Sequence, residues 1–67
     1  RPFGEINFKK GDYIRVVDGP AQGIEGYFVQ IQRGQKKQLV IALSNLITVN
    51  LALGKDDLID IVEREEE

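Results

Sequence analysis

The sequence contains no cysteine, no histidine, no methionine and no tryptophan. Each of the first two absences removes a class of chemistry. Without cysteine there is no disulfide framework and no thiolate metal site, and without histidine the commonest zinc, copper and iron ligand is missing. Carboxylates alone would have to hold a metal, and the acidic residues do not follow EF-hand spacing. A nucleophile would have to be Ser44, Thr48, Tyr13, Tyr27 or a lysine, with a carboxylate as its base. Ser44 precedes Asn45 between two strand-like runs, where a turn role is the simpler reading. Asp56, Asp57 and Asp60 read as a solvated turn with a capping aspartate rather than a metal cluster. The sequence therefore predicts no enzyme and no cofactor.

Long hydrophobic runs are lacking too. The most apolar region, Leu39 to Leu53, is interrupted by Ser44, Asn45, Thr48 and Asn50. A spanning helix needs about 20 predominantly apolar residues. No signal-peptide pattern is present, and the chain opens on Arg1. We read it as a soluble piece of a longer cytoplasmic protein, expected to be a monomer; the missing cysteines fit a reducing compartment. At 67 residues there is room for one domain around one modest core.

The net charge of −2 argues against strong nucleic-acid affinity, but its distribution is uneven. Residues 1–50 carry seven Lys/Arg against four Asp/Glu, and residues 51–67 carry two against seven. An acidic chain of this kind still presents a locally basic face.

What is present is a strand pattern. Alternation predicts strands over Asp12–Asp18, Tyr27–Arg33, Leu39–Leu43, Ile47–Leu53 and Leu58–Val62, rich in β-branched residues. In the first, Ile14 and Val16 share one face, with Tyr13, Arg15 and Val17 on the other. In the second, Tyr27, Val29 and Ile31 oppose Phe28, Gln30 and Gln32, which puts Phe28 on a polar side. Arg33-Gly34-Gln35-Lys36 reads as a tight hairpin with Gly34 at positive φ, and Gly54-Lys55-Asp56-Asp57 as another turn. Five short strands joined by tight turns predict an all-β fold, a small five-stranded SH3-like barrel over residues 10–62. Residues 1–9 read as an interdomain linker or lead-in, with Phe8 and also Phe3 as the residues that would pack on the body, and residues 63–67 as an acidic tail.

One stretch, Asp18-Gly19-Pro20-Ala21-Gln22-Gly23-Ile24-Glu25-Gly26, concentrates the glycines. Its spacing is neither the dinucleotide fingerprint nor the Walker loop, and both of those need a helix to follow. A strand follows here, so the stretch is a turn. Asp18-Gly19 and Gly23 supply reversals, and Gly26, inside a strand pattern, marks a bulge or a close backbone approach.

Residues Lys10 to Ile31, with Gly11-Asp12-Tyr13-Ile14-Arg15-Val16 leading into Asp18-Gly19-Pro20 and Gly23, resemble a KOW motif. More closely they resemble the C-terminal KOW domain of NusG-family transcription elongation and antitermination factors. The nearest likeness is to the UpxY-like paralogues of Bacteroidota, antiterminators of polysaccharide operons. The resemblance covers residues 8–62, including Asp57-Leu58-Ile59-Asp60-Ile61. It implies an SH3-like barrel and a separate N-terminal domain that binds RNA polymerase. It also implies a protein partner of the transcription or translation machinery, which in housekeeping members is Rho or NusE. The loop aromatics of those members correspond to Ala21 and Ile24 here, and their later Phe-Gly-Arg to Asn45-Leu46-Ile47, so the partner set is expected to differ.

The candidate partner-binding residues are therefore Ile24, Phe28, Leu46 and Ile47. The rival reading is RNA binding through a basic hairpin, with Arg33, Lys36 and Lys37 as candidate phosphate contacts; KOW domains of ribosomal proteins supply the analogy. Three phosphate contacts give weak, salt-sensitive binding, and no aromatic platform accompanies them. A helical alternative state is opposed by the β-branched strands and by Gly23, Gly26 and Gly34.

Overall fold

The computed structural model describes residues 1–63. The chain forms five strands, β1 (Tyr13–Val16), β2 (Glu25–Gln32), β3 (Gln38–Ala42), β4 (Thr48–Leu51) and β5 (Ile59–Glu63), with one 3₁₀ turn at Phe3–Glu5. They make one antiparallel sheet in the order β4-β3-β2-β1-β5. The fold is all-β, as the alternation predicts, and barrel-like, although β4 and β5 remain edges that do not pair with each other. No helix among the described residues is long and apolar enough to cross a membrane.

The sheet wraps one core. Ile14 and Val16 from β1, Leu39 and Ile41 from β3 and Ile59 from β5 are buried together, and Phe28, Ile31, Val49, Leu51 and Ile61 pack against them from the flanking strands. Inward positions recur at every second residue, as the pleat requires.

Residues 1–9 are built into this body rather than leading up to it. Phe3 and Ile6 are core residues, and the N-terminal stretch runs antiparallel to residues 55–59. Ile59 N donates to Arg1 O at 2.8 Å, Phe3 N to Asp57 O at 2.7 Å and Gly4 N to Lys55 O at 2.8 Å. This pairing covers the free side of the chain entering β5, which would otherwise be an exposed template for aggregation. The periodicity of residues 1–9 gives no sign of it, because a 3₁₀ turn interrupts the segment. Of the acidic tail expected at 63–67, Glu63 belongs to β5 and residues 64–67 lie outside the described residues.

Two bulges set which side chains face inward. On β2 the register skips from Phe28↔Ile41 to Gln30↔Val40, leaving Val29 as the extra residue. This corrects simple alternation: Phe28 and Ile31 both point at the core, and Phe28 stacks on Phe8 with ring centroids 5.2 Å apart. On β5 the register skips from Ile14↔Ile61 to Tyr13↔Glu63, so Val62 is extra and Glu63 stands opposite Tyr13.

The glycines divide by role. Gly11, Gly19 and Gly23 have φ of 97°, 83° and 92°, values that strain any L side chain. Gly23 and Gly19 make the expected reversals between β1 and β2; Gly23 N donates to Val16 O at 2.8 Å, and Gln22 N to Gly19 O at 3.1 Å. Gly26 is a close approach: a Cβ there would stand 2.5 Å from Ala42 O. Gly34, by contrast, does not use positive φ, so the β2–β3 connection is a wider loop over residues 33–37 than a two-residue primed turn.

Candidate functional site

The strand registers give the body two distinct ends. β1 and β3 both finish at the end where β2 begins, so the 17–24 and 43–47 connections lie at one end. The 33–37 hairpin lies at the other.

At the first end, Asp18 anchors the glycine-rich loop. Its Oδ1 accepts a hydrogen bond from Leu58 N at 2.6 Å, tying the loop to the entry of β5. Ala21 and Ile24 are half-buried and pack against the core, so the loop is a lid on the barrel end with Ile24 partly below its surface. The 43–47 connection is closed by Leu43 N donating to Ile47 O at 2.9 Å and by Leu46 N donating to Ser44 Oγ at 3.2 Å. Ser44 thus holds the loop shape. That geometry projects Leu46 from the tip, 94% exposed, beside Ile47 at 54%.

Of the four candidate partner contacts, Ile24, Leu46 and Ile47 therefore share one end, with Leu46 and Ile47 open to solvent. Phe28 does not join them. It is half-buried under the sheet on Phe8, and its cost of removal is a folding cost. The alternation that placed it outward fails at the Val29 bulge, for which the sequence carries no glycine or proline marker.

At the opposite end, Arg33, Lys36 and Lys37 are all exposed, as a solvated hairpin requires. Lys37 folds back so that its Nζ lies 5.3 Å from the centre of the Phe3 ring, a cation–π contact on a core aromatic. Lys36 and Lys37 line one side of an open groove of about 370 Å³ whose other side is Ala52, Leu53 and Gly54. Lys37 is partly committed to the fold, which leaves Arg33 and Lys36 as the freer cations of the hairpin.

The outer face of the sheet carries a group that the candidates omit. Tyr13 and Tyr27 stand opposite one another across β1 and β2, their ring centroids 4.8 Å apart and planes at 76°. Glu25 sits beside them: its Oε1 accepts from the Tyr13 hydroxyl at 3.2 Å and its Oε2 pairs with Arg15 Nε at 2.7 Å. Hydrogen bonds from Arg15 first, then from Tyr13, hold the Glu25 carboxyl below its ordinary pKa. Partial burial, reinforced by Glu25, pushes the Tyr13 phenol up, and Glu25 likewise raises Arg15. The alternation already put Tyr13 and Arg15 on one face, but only the strand register shows that Tyr27 and Glu25 share it.

At the β4–β5 connection, Gly54 N donates to Asp57 Oδ2 at 2.9 Å and Asp57 N to Gly54 O at 3.1 Å. Asp57 caps this turn, as the sequence suggests, whereas Asp60 belongs to β5. No group of three or more acidic side chains among the described residues is placed to hold a metal ion.

Comparison of the chain with protein-family models, with curated proteins and with solved structures finds no match.

Proposed function

We propose that this domain is a non-catalytic interaction module of the KOW type, part of a NusG-like transcription elongation or antitermination factor. On this reading its loop end docks a protein of the transcription or translation machinery, while a separate N-terminal domain engages RNA polymerase in the cytoplasm. The observation that carries the docking end is Leu46, a large apolar side chain 94% exposed on a loop whose backbone is pinned by its own hydrogen bonds. A loop whose backbone is already pinned loses little chain freedom on binding, and preorganisation of this kind raises affinity. Ile47 and the partly covered Ile24 extend the apolar surface at the same end. The family assignment itself rests on the likeness of Gly11–Gly26 to the KOW opening.

The test is an amide chemical-shift titration of the domain with purified NusE and, separately, purified Rho. The expected result is perturbation confined to residues 18–24 and 43–47 with at least one of them, abolished by Leu46→Asp in a domain that keeps its melting temperature. If neither protein binds and single-stranded RNA instead shifts residues 33–37, with affinity collapsing as salt rises, the RNA reading replaces this one.

A further inference from the structure

The outer sheet face, on the strand residues next to the loop end, has the organisation of a receptor for cationic side chains. The cross-strand registers lay it out in two rows. One row runs Tyr27, Tyr13, Glu63, and the next runs Glu25, Arg15, Asp60. Directly opposed residues on one face of an antiparallel pair have their Cβ atoms about 4.5–5.5 Å apart, so each row is a strip of neighbouring side chains.

Three features distinguish this strip from an ordinary solvated face. Tyr27 is an aromatic ring left 54% exposed in the middle of a sheet. Its position is fixed through a chain of contacts: Arg15 holds Glu25 at 2.7 Å, Glu25 holds the Tyr13 hydroxyl at 3.2 Å, and Tyr13 meets Tyr27 edge to face. The charges do not balance. Arg15 is engaged with Glu25, so Asp60 and Glu63 leave the face with an excess of two carboxylates. The Val62 bulge is what aligns Glu63 with Tyr13, continuing the aromatic row as an acidic one. In the sequence Arg64 follows this strand, and then Glu65, Glu66 and Glu67, a net addition of two negative charges.

An immobilised aromatic face attracts a cation through its quadrupole, and nearby carboxylates add to that attraction. A hydrophobic partner would be disfavoured by Asp60 and Glu63, and a nucleic acid would meet repulsion from the same carboxylates. We propose that the Tyr13–Tyr27 strip binds a basic segment of a partner polypeptide, an arginine or lysine side chain lying over Tyr27 with Asp60 and Glu63 receiving its neighbouring charge. This surface lies on the sheet face beside the loop end and uses none of Ile24, Leu46 or Ile47, and its existence does not depend on the family reading.

The composition supplies an unusually clean probe. Tyr13 and Tyr27 are the chain's two tyrosines and there is no tryptophan, so intrinsic tyrosine emission reports this strip alone. The experiment titrates the protein with a nonapeptide of alternating glycine and arginine, and with the same peptide carrying glutamine for arginine. Emission and amide chemical shifts are followed together. The arginine peptide is expected to change the emission and to shift β1, β2 and β5 resonances, with affinity weakened by salt; the glutamine peptide is expected to do neither. Tyr27→Leu, which keeps an apolar strand residue but removes the π face, lowers the affinity roughly fivefold, as a cation–π contact of about 1 kcal/mol requires. Glu63→Gln weakens it further, and Lys36→Ala leaves it unchanged. Equal binding of the glutamine peptide, an unaltered affinity in Tyr27→Leu, or shifts located at 33–37 or 43–47 would each overturn the proposal. So would preferential binding of oligouridylate to the strip.

Discussion

Gly26→Ala is the most discriminating single change for the sheet architecture. An alanine Cβ at this position would stand 2.5 Å from Ala42 O and 3.1 Å from Ala42 C, against an ordinary contact of 3.4 Å or more. Both atoms are backbone of the neighbouring strand, so no side chain can swing aside. β2 and β3 must separate locally by about 0.9 Å, the shortfall in that contact. Overpacking of this kind costs about 1–3 kcal/mol, and a stretched ladder hydrogen bond loses about 1 kcal/mol more. The expected destabilisation is therefore roughly 3 kcal/mol, which for a domain of this size lowers Tm by about 12–24 °C. Two other glycines calibrate the measurement. Gly23 has φ of +92° and open space around it, so Gly23→Ala carries only backbone strain of about 1–2 kcal/mol. Gly34 has open space and ordinary φ, so Gly34→Ala is expected to be neutral or stabilising by up to about 1 kcal/mol. Thermal unfolding followed by far-ultraviolet circular dichroism ranks all three. If Gly26→Ala melts within a few degrees of Gly34→Ala, the close approach of β2 and β3 is wrong, and with it the inward placement of the residues that follow.

Phe28→Ala should cost about 2–4 kcal/mol in urea unfolding, because it removes a stacked, half-buried ring, whereas Leu46→Ala should stay within about 0.5 kcal/mol of the parent; the reverse order would return Phe28 to the surface. Spectrophotometric titration should show Tyr13 ionising above the usual phenol range, and Glu25→Gln should bring it back toward that range. The sign follows from the raised folded value: the stability contributed by neutral Tyr13 is complete below about pH 10 and is lost as pH rises through its folded pKa. Glu25 works oppositely, since its folded value is lowered. Its contribution is present above the ordinary carboxylate range and disappears as pH falls through the folded pKa, so Glu25→Gln should flatten that acid limb of the stability profile.

Legibility of this chain from sequence ended where the backbone departs from strict period 2. The five strands, the reversals at Gly19 and Gly23 and the Asp57 turn follow from β-branched alternation and from glycine and aspartate chemistry, which act locally. The bulges at Val29 and Val62 do not, because the extra residue in each is an ordinary valine and the shift shows only against the partner strand. One such shift moved Phe28 inward; the other set Glu63 beside Tyr13. The strand-like pairing that buries Phe3 was hidden for a related reason, since its backbone partner, Asp57, lies more than fifty positions away. Leu46 was accessible to sequence reasoning because the break at Ser44-Asn45 interrupts the alternation beside it.

The pairing of the first residues with the segment entering β5 has a consequence for synthesis. β1 to β4 form a meander of neighbours, each able to pair as soon as the next strand is made, but β1 also needs β5, and Phe3 needs Asp57. Until Ile59 has emerged from the ribosome, the outer edge of β1 is an open ladder and the core lacks its last wall. Closing a loop of that length is slow relative to hairpin formation, so completion of the domain is a late, single event. A chain that stalls before β5 would leave a sticky edge in place of a finished module, and the segment around Phe3 would have nothing to pair with.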